Sequence, residues 1–343
     1  MSQFKFSVGP WNVASGADVY GPATRAEIPL EEKIKKFKEL GFDAVQFHDD
    51  DAVPNMNNLS EEEIKAEARK VKALLDKYGL KAEFVAPRLW MDPHCTDGGF
   101  TSNSAEDRAF AMWRAYRSID IANELGCSLI VLWLAREGTL CAESKSAARA
   151  TRQLVEAIDK MLDYDKNIRV AIEPKPNEPI DRSFCGTMGH VMAVSAATKD
   201  PSRVGGLQES AHAVLAGLDP ANEMGFALAF NKLFSVHLND QNGLKFDQDR
   251  SFGAENLRQA FNQIKILKEN NYGANGEYIG LDVKAMRTTH DDAGYQHLVN
   301  SLNVVKALEA KVDKYDYAFE KKCIEERNYE ALEMYVLNLI MGI

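Results

Sequence analysis

The residues best suited to chemistry lie at the ends of short apolar runs. Glu173, Glu209, Asp247, Asp249 and Asp282 offer hard oxygen donors of the kind that hold Mg²⁺ or Mn²⁺. His212 and His237 add imidazole nitrogens, which move the preference toward Mn²⁺ or Co²⁺. The spacing E-x-x-H at 209–212 puts Glu209 and His212 about one helical turn apart, so both can face one ion. Lys175 stands two residues after Glu173 and shares its face in a strand, where an ammonium can polarise a substrate oxygen beside a metal. His48 precedes three aspartates, Asp49 to Asp51. Trp11, Trp90 and Trp133 are candidates for an apolar wall, and Asn239 and Lys284 are candidate substrate contacts at the ends of their runs. Taken singly each has a structural explanation: a core histidine, a solvated carboxylate at a strand end, a packed indole. Their gathering at successive strand ends is harder to explain that way, because charges buried together need partners.

The elements that must position these groups alternate along the chain. Apolar runs at 4–11, 44–48, 81–87, 128–134, 169–175, 204–210, 233–239 and 278–284 read as strands, most of them continuous as in parallel sheets buried on both faces. Helical patterns separate them. The segment 60–79 opens on Ser60 with Glu63 in the capping-box position and stops at Gly79. The segment 104–126 has the same punctuation in Ser104, Asp107 and Gly126. Eight strand–helix repeats predict an α/β fold, a (β/α)8 TIM barrel over 1–310. An open doubly wound sheet is the alternative, but no G-x-G-x-x-G follows the first strand. One long helix is expected over about 291–322, and residues 311–343 are expected to form a short C-terminal helical extension packing on the barrel or on a partner subunit. In a barrel, residues at the C-terminal strand ends form the active site.

Bulk properties narrow the classes. A formal charge of −10 argues against nucleic acid and against an anionic membrane surface. The first residues, MSQFKFSVGP, lack a signal peptide's basic and apolar regions, and no apolar run is long enough for a membrane span. Five scattered cysteines without C-x-x-C fit a reducing compartment, so a cytoplasmic location is expected.

With these residues in hand, the chain resembles xylose isomerase, the glucose isomerase family, and its shorter-chain group in particular. The resemblance runs to about residue 310 through PWNVASGADVYGPATR, FHDDD, DGGFTSN, LWLAREG, IEPKPNEP, the run ESAHAVLAGL, KFDQDRSFG and DVK with its following RT. It implies two divalent metal ions per chain: one held by Glu173, Glu209, His237 and Asp282 that grips sugar hydroxyls, and a catalytic one held by Glu209, His212, Asp247 and Asp249. It further implies that His48, oriented by Asp51, opens the sugar ring, and that Lys175 binds the carbonyl oxygen. Trp11 and Trp133 are implied as pocket walls, with Trp90 where the family usually has Phe. Tyr20 stands where the family has a Phe that reaches into a neighbour's site, which implies a homo-oligomer, dimer or tetramer. The activity implied is aldose–ketose isomerisation, D-xylose to D-xylulose and D-glucose to D-fructose, by hydride shift. His237 departs from the family's Asp, LWLAREG and DVKAMRT alter the pocket rim, and the C-terminal arm is short. The Glu/Glu/His/Asp set also resembles the single-metal site of sugar epimerases and of carbon–glycoside-cleaving enzymes on this barrel, which act by proton transfer.

Overall fold

The computed structural model describes residues 4–16, 18, 20–290 and 294–343. Eight parallel strands close into a barrel: β1 (Phe6–Val8), β2 (Ala44–His48), β3 (Lys81–Ala86), β4 (Leu129–Trp133), β5 (Arg169–Glu173), β6 (Val204–Glu209), β7 (Leu233–Leu238) and β8 (Ile279–Leu281). Each pairs with its sequence neighbours, and β8 closes on β1 through Phe6–Ile279 and Val8–Leu281. This is the TIM barrel that the alternation predicts, and the reason is simple. Strands whose two faces are both apolar must be covered on both, by barrel interior on one side and by helices on the other.

The helix punctuation holds. Ser60 caps the helix Glu61–Tyr78, accepting from the Glu63 amide while Glu63 accepts from the Ser60 amide, and Gly79 closes it at φ +65°. Ser104 caps Ala105–Leu125 and Gly126 ends it in the same left-handed way. Two expectations are revised. The first strand is short, because Pro10 lacks an amide proton for the ladder and starts a 3₁₀ turn over Pro10–Val13. The long C-terminal helix is two, Gln296–Val312 and Tyr317–Glu326, separated at Asp316, whose carboxylate caps the second. The expected start of that helix at 291–293, and residues 17 and 19 of PWNVASGADVYGPATR, lie outside the described residues. A last helix, Tyr329–Met341, follows. None of the described helices is long and apolar enough to cross a membrane.

The 3₁₀ turn matters because it carries Trp11 to the mouth of the barrel. Asn12 fixes it: its side chain donates to the Gly9 carbonyl and accepts from the Val283 amide at 2.6 Å, tying the turn to the end of β8. His297, on Gln296–Val312, donates through Nε2 to the Asn12 carbonyl at 2.8 Å. Burial depresses the His297 imidazole to about 4, since charging it inside the protein costs solvation that one carbonyl does not return. The folded state therefore refuses a proton that the unfolded chain accepts, so stability falls as pH drops from about 6.5 to about 4, by about 3 kcal/mol in total from this group. His297→Gln keeps a donor for Asn12 but cannot titrate. Its urea unfolding midpoint is expected to fall less than the wild-type midpoint between pH 6.5 and 4.5. Parallel pH profiles would refute the assignment.

Candidate functional site

The C-terminal strand ends surround a cavity of about 440 Å³. Two groups of donors lie inside it. Glu173, Glu209, His237 and Asp282, from the ends of β5 to β8, offer ligand atoms all within 4.8 Å of one another. Glu209, His212 and Asp247 form a second group on the same criterion, with Glu209 common to both. His212 reaches it because β6 runs straight into a short helix, Ser210–Leu215, which turns His212 back over Glu209: His212 Nε2 lies 3.3 Å from Glu209 Oε1 and 3.2 Å from Asp247 Oδ2.

The remaining expected residues divide. Lys175 Nζ lies 2.9 Å from Asp247 and 3.2 Å from Glu178, and 5.1 Å above the Trp133 ring. Lys284 pairs with Asp249. His48 sits between indoles, 4.3 Å from Trp11 and 5.2 Å from Trp90 by ring centroids, and Trp90 meets Trp133 edge to face at 4.4 Å. Asp51 Oδ2 lies 2.9 Å from His48 Nδ1. Two placements differ from expectation. Asp249 is outside the second donor group, because Lys284 and the Asn239 amide occupy its carboxylate. Asn239 lies behind the ligands rather than on the cavity wall. Its amide nitrogen donates to Glu209 and Asp249 and its oxygen accepts from the Ala211 amide, so both its amide protons are spent on positioning carboxylates.

The aspartates after His48 have separate partners. Asp49, fully buried, takes a two-pronged contact from Arg114 at 2.7–2.8 Å and a bond from Ser118. Asp50 pairs with Arg88, and Asp51 holds both His48 and Arg88. Burial disfavours charge on Asp51, but His48 and Arg88 outweigh it and keep the carboxyl below its usual range. Arg88 was not foreseen, and neither were Gln46, Glu83, Ser7 and Ser235 beneath His237. The sequence signal for the last four is a polar residue interrupting a buried apolar strand, as in AVQFH and KAEFVA.

Electrostatics set the character of the cavity. Five inner carboxylates (Glu173, Glu209, Asp247, Asp249, Asp282) face two lysines, Lys175 and Lys284. Burial, and then repulsion from Asp247, Asp282, Asp249 and Glu173, push the Glu209 carboxyl well above its ordinary range. Asp249 is pushed up by burial and by Asp247. Burial would raise Glu173 too, but the His237 ring lowers it to about 2, and Glu173 in turn lifts the buried His237 imidazole to about 9. Asp247 is held well below the usual range by Lys175 and His212 against the effect of its burial. Within the second donor group, Asp247 Oδ1 and His212 Nδ1 are buried with no hydrogen-bond partner among the described residues. Unbalanced negative charge and orphaned donors in one place fit divalent cations.

If the charge is balanced by cations, metal and stability are linked. Mn²⁺ at 100 times its dissociation constant is expected to stabilise the folded protein by about 2.7 kcal/mol. Glu209→Gln is expected to leave the metal-free protein at least as stable and to abolish the Mn²⁺-dependent rise in Tm. A rise undiminished in the variant would contradict the assignment.

Comparison with known proteins agrees with the fold. Residues 34–303 match the family model described as xylose isomerase-like TIM barrel. A solved D-tagatose 3-epimerase-like protein is 18% identical with a TM-score of 0.65, over 88% of this chain and 98% of its own. D-psicose 3-epimerase, solved in the presence of D-fructose, is 14% identical with a TM-score of 0.64, over 89% and 99%. A xylose isomerase-like TIM barrel/4-hydroxyphenylpyruvate dioxygenase fusion protein is 17% identical with a TM-score of 0.61 over 91% of this chain, which spans 43% of the fusion's length. At these identities the likeness is one of fold.

Proposed function

We propose that this chain, which belongs to the xylose isomerase-like TIM barrel family, is a metal-dependent aldose–ketose isomerase acting on a small sugar such as D-xylose or D-glucose. The observation that carries this reading is the second donor group, Glu209, His212 and Asp247, lying beside the first with Lys175 against it. That second set gives a second ion its ligands.

Glu173, Glu209, His237 and Asp282 would hold one divalent ion, and Glu209, His212 and Asp247 a second, with Asp249 reaching it only by leaving Lys284. The ions supply Lewis acidity toward sugar oxygens and acidify a water. The protein's own groups do the rest. With Nδ1 held by Asp51, His48 has its other ring nitrogen left for the ring oxygen or anomeric hydroxyl, where it moves the proton that opens the ring. Trp11 Nε1 donates to Asp282 Oδ1 at 3.0 Å and so fixes both the carboxylate and its own indole face. Lys175 stays charged, because Asp247 and Glu178 outweigh the effect of its burial and raise its pKa. Its ammonium is placed to stabilise negative charge on the carbonyl oxygen. Trp11, Trp90, Trp133 and Phe84 line the cavity and keep water from the carbons between which hydrogen moves. Tyr20 is 70% exposed with its ring edge against Phe246 of its own chain, and the homo-oligomer is proposed from its position in the sequence alone.

A second reading rests on His237. A Glu/Glu/His/Asp set around one ion suits an epimerase, or an enzyme cleaving a carbon–glycoside bond, that transfers a proton rather than a hydride. The two readings part in D₂O. Proton NMR of D-xylose with the Mn²⁺-loaded protein is expected to show xylulose without deuterium at C1. Deuterium at the reacting carbon, or an epimeric aldose in place of a ketose, would establish the second reading instead.

A further inference from the structure

Beneath the first donor group the barrel interior carries a layer of polar residues in otherwise apolar strands: Ser7 on β1, Gln46 on β2, Glu83 on β3 and Ser235 on β7, all buried. They are linked. Glu83 Oε1 accepts from Ser235 Oγ at 2.7 Å across the barrel, and Glu83 Oε2 accepts from Gln46 Nε2 at 2.9 Å. Gln46 Nε2 also donates to Ser7 Oγ at 3.1 Å, and Gln46 Oε1 lies 3.2 Å from His237 Nε2. None of these residues lines the cavity, and the proposed reaction makes no use of them.

We infer that Gln46, oriented by Glu83 and Ser7, is a positioning residue that fixes the tautomer of His237 and thereby presents Nδ1 as a metal ligand; the inference rests on the metal-centre reading above. The orientation of an amide is read from its neighbours. Both Gln46 amide protons have acceptors on the side of Glu83 and Ser7, so its carbonyl oxygen is the atom that faces His237. An amide oxygen can only accept, so His237 Nε2 must carry a proton. In the neutral ring that leaves the lone pair on Nδ1, and Nδ1 points at Glu173 Oε1 (3.3 Å), Glu209 Oε2 (3.7 Å) and Asp282 Oδ2 (3.7 Å). Among three carboxylates Nδ1 carries either a proton or a metal ion, and with an ion in the first group the neutral ring turns its lone pair toward it. Buried hydrogen bonds from the outer nitrogen of a ligating histidine set ring orientation and basicity in this way.

Gly280 supplies an independent observation. A Cβ on it would stand 2.4 Å from Gln46 Nε2, 2.5 Å from the Val236 carbonyl and 3.1 Å from His237 Cδ2. Glycine on β8 is thus what lets the amide and the imidazole meet beside the strand. The one imidazole among three carboxylates in the first group is matched by a polar layer that holds its far side.

The test uses the full chain with selectively ¹⁵N-labelled histidine and diamagnetic Mg²⁺ for NMR, and Mn²⁺ for calorimetry. In the Mg²⁺-loaded wild type, His237 is expected to show a protonated Nε2 and an unprotonated Nδ1. That arm needs no variant, and a protonated Nδ1 would overturn the inference. Gln46→Leu, verified as folded by circular dichroism, is expected to bind Mn²⁺ at the first group about 10–100-fold more weakly, with the His237 signature lost or mixed. Unchanged affinity with an unchanged His237 spectrum would overturn the inference while leaving the metal centre standing. A wild type that binds no divalent ion would overturn the underlying reading as well.

Discussion

Mutual repulsion among buried carboxylates is the interaction on which the rest of this structure turns. Five of them converge at one end of the barrel with two lysines between them. Burial, and then repulsion within the cluster, pushes Glu209 and Asp249 above their ordinary range. One divalent ion leaves the cluster net negative and a second brings it slightly positive, before the histidines are counted. The supporting contacts make sense as restraints on this crowd. Asn239 holds Glu209 and Asp249 apart, Trp11 pins Asp282, and Glu178 accepts from both the Asp247 amide and Lys175. A fold that stored so much repulsion without a compensating cation would lose stability in proportion.

The barrel is a sound frame for such a cluster because each ligand comes from a different strand. Glu173, Glu209, His237 and Asp282 stand at or beside the ends of β5 to β8, where the parallel register brings Glu209 level with His237. Parallel hydrogen bonding fixes their heights, and aromatic side chains from the turn after β1, from and just after β3, and from the end of β4 close the opposite wall. His48 joins the two halves: its strand ends on the aromatic side, while the aspartates after it anchor to Arg88 and Arg114.

Much of this was legible from residue order. Continuous apolar runs between capped amphipathic segments are read the same way by eye and by the folded chain, because parallel barrel strands need two apolar faces and Ser60 or Gly79 have one local reason to be where they are. The donor groups were legible because metal-binding residue types at strand ends have few other uses. What was not legible was connectivity. Asn239 looks like a substrate contact in LNDQN, yet its three hydrogen bonds turn it behind the carboxylates. Asp249 sits in the right motif but is claimed by Lys284, a residue 35 positions away. Gln46, Glu83, Ser7 and Ser235 are distant in sequence and meet only because the barrel closes. The break at Asp316 depends on one carboxylate capping the next helix, which helical periodicity does not encode.

The central claim, that the crowded carboxylates form a divalent-cation centre, is tested most directly by anomalous scattering from crystals soaked in Mn²⁺. The account predicts two peaks per chain, one among Glu173, Glu209, His237 and Asp282 and one beside Glu209, His212 and Asp247. A single peak in the first group would remove the second ion, and with it the observation that favours hydride transfer. No peak in either group would contradict the account altogether.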